Sequence, residues 1–153
     1  EDAAKTAIEE YEQKAEDAKI QVKEAIGDES AALIWVTGGQ FFVSEGDRYA
    51  SNVLYKDLGI TMPTYIKDLG KSQDVWQAIA LEALADLDAD HLFIMAAEND
   101  EGIETLENSS VYKSIPAVKK DQVYFFEDSS NWTINAKTAN EVTIDHVLES
   151  LTK

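Results

Sequence analysis

The sequence predicts an α/β domain: a three-layer lobe with a mostly parallel central sheet flanked by helices, preceded by a long N-terminal helix. Three observations predict it. Helical segments alternate with short strand-like runs along the chain, the pattern of a parallel sheet with crossovers. The strand-like runs are continuously apolar, as strands covered on both faces are. The chain opens on one long amphipathic stripe that ends at a glycine.

That stripe is Ala4, Ile8, Tyr11, Ala15, Ala18, Val22 and Ala25, recurring at steps of three and four and closed by Gly27. Its small residues predict close packing on a neighbour, and so much alanine makes a weak coiled-coil seam. In "AALIWVTGGQFFVS", Ala32 to Thr37 reads as a buried strand, Gly38-Gly39 as a hairpin turn, and Phe41 to Val43 as a second strand. "RYASNVLYKDLGI" reads as a helix closed by Gly59, with Val53, Leu54 and Leu58 inward, and Met62 to Leu69 as a short helix with a proline start. Trp76 to Ala80 reads as a short strand, with Trp76 in the core, leading into the two-turn helix "LEALADL". A buried strand spans 91–96, Pro116 opens a short turn, and a further strand spans 122–127. The terminal helix turns Val142, Ile144, Val147, Leu148 and Leu151 inward. There is no internal repeat and no low-complexity linker.

At 153 residues the chain is one domain, long enough to bury a core, and 44% apolar residues argue against disorder. The net charge of −17, from 30 acidic against 13 basic residues, repels nucleic-acid phosphates and anionic lipid headgroups. It suits a well-solvated protein or one that meets a basic partner. With no cysteine, thiolate metal sites, disulfides and cysteine nucleophiles are excluded. No run approaches the roughly 20 apolar residues of a membrane span. No signal peptide is evident, and the first residues are already in helical register with neither methionine nor cap, so a trimmed chain is expected.

Several patterns invite chemistry. Asp86, Asp88 and Asp90 alternate like the start of a calcium loop, but the positions that would need glycine and a bidentate glutamate hold His91 and Ala97. A solvated turn into a buried strand is expected instead. His91 and His146 are the only histidines, neither with the i+4 partner of a helical zinc site, and both read as ordinary surface or half-buried residues. No Gly-x-Ser-x-Gly elbow and no Ser/His/Asp arrangement can be picked out. "VTGGQ" lacks the glycine spacing and the lysine of a phosphate loop, and a strand follows it, so a plain hairpin is expected. The aromatics are more suggestive. Trp132, in a polar loop past strand 122–127, falls at the edge where open α/β sheets bind ligands, and Arg48 and Tyr49 form a second polar-aromatic pair before a helix. Trp35 faces either the core or a cleft.

The order of these segments resembles the C-terminal lobe of ferric-siderophore-binding proteins, the substrate-binding lipoproteins of Gram-positive iron-chelate ABC importers. The resemblance runs over essentially the whole chain. It rests on "VLYKDLGI", on the "LE…ADH" segment ending in "HLFIM", and on Tyr112 to Tyr124 with its "AVK" and "VY". It implies two α/β lobes joined by one long rigid helix, with residues 1–26 as the end of that helix and 27–153 as the C-terminal lobe. The N-terminal lobe and the lipid-anchoring region would then be absent from this soluble fragment. The full protein would be lipid-anchored at the extracellular face of the membrane, and half a cleft would bind weakly or not at all.

The resemblance further implies ligand contacts at Trp35 and Thr37, at Arg48 and Tyr49, and at Trp132, and a permease-docking carboxylate at Glu82. Family members that bind catecholates often carry arginines where this chain has Trp35 and Thr37. A hydroxamate or mixed citrate-hydroxamate complex is therefore expected over a catecholate one. Iron(III) would be held by the siderophore, with no cofactor, no protein metal ligand and no enzyme activity. The rival classes are an α/β enzyme domain with a nucleotide or phosphate pocket near Gly38-Gly39, and an acidic interaction module.

Overall fold

The computed structural model of the protein describes residues 2–44, 53–69, 76–96, 100–127 and 137–152. Helix α1 (Asp2–Ile26) leads into strands β1 (Ala31–Thr37) and β2 (Gln40–Ser44). A π-helical turn (Val53–Asp57) precedes α2 (Thr64–Leu69) and β3 (Trp76–Ile79). A 3₁₀ segment (Leu81–Asp86) leads into β4 (His91–Ala96). The single-turn and two-turn helices α3 (Glu101–Glu107), α4 (Ser110–Lys113) and α5 (Pro116–Lys119) then precede β5 (Val123–Glu127) and α6 (Lys137–Leu151).

The strands form one sheet in the order β3-β2-β1-β4-β5. The β1–β4 and β4–β5 ladders are parallel, whereas β2 runs antiparallel to both β1 and β3. Four strands therefore point the same way and β2 alone is reversed, because Gly38 and Gly39 make a two-residue hairpin. Both glycines sit at positive φ, 58° and 74°, as such a turn requires.

Strand alternation splits the core in two. Ala31, Leu33, Phe93 and Met95 face α1, the π-helical turn and α6; Ala32, Ile34, Val36, Leu92, Ile94 and Ala96 face α2, the 3₁₀ segment and α3 to α5. Every residue of β4 is buried, which is why its apolar run is unbroken.

Sequence and structure part in several places. On α1 the stripe is buried only from Ala15 through Ala18 and Val22, and Ile26 rather than Ala25 closes it; Ile8 is 57% exposed. The helix is longer than the sheet is tall: about 13 helical residues match the height of a seven-residue strand. The described part of the expected helix before Gly59 is a single π-helical turn that still buries Val53, Leu54 and Leu58. The segment "LEALAD" winds as 3₁₀, and the last strand starts at Val123. The side chains of Trp76 and Val142 lie outside the described residues.

The aspartate run is a latch as well as a turn. Asp88 accepts the Tyr65 N–H, and Asp90 accepts the Ser30 N–H at 3.0 Å, while the Asp90 and His91 N–H groups donate to the Ser30 carbonyl. Partial burial raises the Asp90 carboxyl, but the Ser30 N–H and hydroxyl and the Lys120 ammonium outweigh it, leaving the group below the usual aspartate range. Among the described residues no cluster of three His, Asp or Glu could hold a metal ion.

His91 is buried, 2% exposed, and not a surface residue. Its Nδ1 lies 3.1 Å from the Tyr124 hydroxyl and its Nε2 3.4 Å from Glu29. Burial and the charges of Glu29 and Asp121 raise Tyr124, so the phenol keeps its proton and can donate to Nδ1. The second polar nitrogen of a buried imidazole then finds its acceptor in Glu29, which is why the core tolerates this histidine.

Candidate functional site

The carboxyl edge of the sheet brings several aromatic side chains into one row. Trp35 lies opposite Phe42 on β2 and Met95 on β4, and Met95 lies opposite Phe126 on β5. All four side chains stand on the α1/α6 face, because Phe41 and Val43 take the opposite one. The result is a row across four strands' width of sheet: Phe42, Trp35, Met95, Phe126. The Trp35 and Phe42 rings are 5.6 Å apart and tilted by 40°. Phe126 stacks on His146 of α6 at 4.8 Å and 10°. Phe42, Trp35, Phe126 and His146 are half-buried, and Met95 is fully buried. Thr37 ends β1, two residues beyond Trp35 on the same face, and is half-buried.

Two helices flank this edge. Lys14 of α1 pairs with Asp145 of α6 at 3.0 Å, and Tyr11 donates to Asp57 at 2.6 Å. The residues of α1 ahead of Tyr11 are exposed apart from Ala7, and by length they extend past the sheet.

The other face of the edge is closed by one carboxylate. Asp100 caps α3 by accepting the Gly102 N–H at 2.8 Å, and it also accepts the N–H groups of Gly38 at 2.9 Å and Gly39 at 3.2 Å. A Cβ on Gly102 would fall 2.5 Å from Val36 Cγ1, so only glycine lets α3 approach β1 this closely. The three N–H groups form an anion-binding concavity that the protein fills itself. The glycine turn consequently has no free donors for a phosphate, against the nucleotide-pocket reading.

Of the residues expected at the site, Trp35 and Thr37 are brought together here. Glu82 is exposed in the first turn of the 3₁₀ segment. Arg48, Tyr49 and Trp132 lie outside the described residues. Phe42, Phe126 and His146 were missing from the expectation. Phe42 was within reach of it, since a two-residue turn at 38–39 sets Trp35 opposite Phe42 by register alone. Asp100 is 62 residues from the turn it holds, and no local signal marks it.

Aromatic side chains thus form a shelf at the carboxyl edge of the α/β sheet, the edge where open sheets of this kind bind ligands, beside a glycine turn whose N–H donors are already used. The chain belongs to the periplasmic binding protein family, whose profile matches residues 1–129.

Relatives are binding proteins. The chain is 30% identical over 126 residues to the iron-uptake system-binding protein of Bacillus subtilis (strain 168), covering 79% of this chain and 38% of that one. It is 27% identical over 155 residues to the iron(3+)-hydroxamate-binding protein FhuD of the same organism, covering 100% of this chain and 49% of that one. Among solved structures, it matches a FhuD fold-family component of a Fep/Fec-like ferrichrome ABC transporter from Bacillus subtilis. That match has a TM-score of 0.87 and 25% identity, over 100% of this chain and 57% of that one. The fold is shared with the Bacillus subtilis triscatecholate siderophore binding protein FeuA complexed with ferri-bacillibactin, at a TM-score of 0.83 and 24% identity, over 97% of this chain and 53% of that one. The chain thus spans between 38% and 57% of the length of these proteins.

Proposed function

We propose that this chain is the C-terminal lobe of an extracellular solute-binding protein that captures a ferric siderophore between two lobes and delivers it to an ABC permease. The observation that carries the reading is the row Phe42–Trp35–Phe126 at the carboxyl edge, in a lobe whose relatives bind iron chelates. In this reading α1 is part of the helix joining the lobes, and the full protein is lipid-anchored at the cell surface.

The mechanism is capture without covalent chemistry. Iron(III) stays inside the chelate, so the protein offers surface and not metal ligands. Trp35 and Trp132 provide apolar walls, Thr37 and Tyr49 polar contacts, and Arg48 one cation. Closure of the second lobe removes water from the chelate's organic shell. With Trp35 and Thr37 uncharged on β1, an uncharged or weakly charged hydroxamate or citrate-hydroxamate complex is better matched than a triply negative catecholate one. FeuA's ferri-bacillibactin complex makes the catecholate the competitor to test. Titrating the two-lobed protein with both classes and following tryptophan fluorescence decides it. Quenching by the hydroxamate complex is expected, and tight catecholate binding without hydroxamate binding overturns the assignment.

Glu82 is the docking residue in this scheme, an exposed carboxylate suited to bidentate hydrogen bonds from a permease arginine. Glu82→Arg in the two-lobed protein should leave siderophore affinity intact and reduce uptake of radiolabelled chelate about tenfold or more, the loss expected when a charge pair is reversed. Wild-type uptake would reject the role.

A further inference from the structure

Resting on the capture function above, we infer that the rim carboxylates Asp100 and Glu101 set the charge class of the chelate, acting as specificity determinants against anionic ligands. The glycine turn follows Thr37 directly, so its N–H groups stand at the same edge as the aromatic row. Left open, the convergent N–H groups of Gly38, Gly39 and Gly102 would give this rim a site for negative charge. Asp100 occupies it with all three hydrogen bonds, which uses up those donors and leaves the rim with a net negative rather than a positive potential. Glu101 adds a second. Its side chain lies along Gly39, where a Cβ would meet Glu101 Oε1 at 3.1 Å.

A chelate seated against Thr37 lies within about 10 Å of these carboxylates, close enough for a charge to be felt through partial screening. An uncharged complex is indifferent to them. A triply negative complex is repelled by each, by roughly threefold to tenfold in affinity per carboxylate at this range.

The experiment uses the two-lobed protein with ferrichrome, an uncharged ferric trihydroxamate, and ferri-bacillibactin, a triply negative ferric tris-catecholate, as probes. Affinities are read by calorimetry for wild type, Asp100→Asn and Glu101→Gln. Asp100→Asn keeps an acceptor for the Gly39 and Gly102 N–H groups, and Glu101→Gln leaves the capped turn untouched. Both should shift the affinity ratio roughly threefold to tenfold toward ferri-bacillibactin. A structural role alone would weaken both probes in parallel with the melting temperature and leave the ratio fixed, and that result overturns the inference. Binding of neither probe by the wild-type protein overturns the capture function itself, and this inference with it.

Discussion

Phe93→Ala is expected to lower the unfolding free energy of this chain by about 3–5 kcal/mol, the range for deleting a buried aromatic side chain. Phe93 is 0% exposed at the middle of β4, between Leu33 on β1 and Tyr124 on β5. Its ring centroid lies 5.1 Å from that of Tyr124 and 6.1 Å from that of Phe126. Truncation removes the apolar area of the ring and also opens a void under α1 and α6, since the sheet is held on both sides and cannot collapse into it. Stability of a domain this size is about 5–15 kcal/mol, so the variant should be marginally folded. Phe93→Leu keeps most of the volume and should cost far less. Urea unfolding followed by tryptophan fluorescence measures both. A loss below 1 kcal/mol for alanine would mean that this face is not closed by the helices.

Trp35→Ala in the two-lobed protein should weaken siderophore binding about tenfold to a hundredfold, as loss of a central aromatic anchor does. Trp35 is at the centre of the row, in ring contact with Phe42 and level with buried Met95, so its removal cuts the shelf in two. Trp35→Phe keeps a flat apolar surface in place and should retain most of the affinity. Because Trp35 also packs on the core, the melting temperature is measured beside the affinity. An alanine variant that is folded and binds within twofold of wild type would remove Trp35 from the site.

How much of this was legible depended on whether the cause was local. The runs of β1 and β4 and the glycine pair at 38–39 declare themselves, because continuous burial and positive φ each demand a few residue types. The reversal of β2 followed from that turn. The end of the α1 stripe was not legible: Ile8 continues the period of Ala15 and Val22, and only the height of the sheet decides that it stays exposed. The burial of His91 depends on Glu29 and Tyr124, 62 and 33 residues away, and the role of Asp100 on a turn equally remote. At the candidate site, Trp35 was expected to face the core or a cleft. It packs on the α1/α6 cluster and remains half-exposed at the edge.

The passage from α1 to β1 has a mechanical consequence. Gly27 ends the helix by donating to the Lys23 carbonyl, and three residues on Ser30 is held by Asp90, the residue just before β4. Glu29 between them reaches buried His91, and Lys120 sits 3.9 Å from Glu29 and 3.4 Å from Asp90. Swivelling the helix on the sheet would strip partners from a buried imidazole and several backbone groups at once. The joint is therefore a weld and not a hinge. A force applied to the N-terminal half of α1 carries the whole sheet with it, and any compliance must lie in the bending of the helix itself.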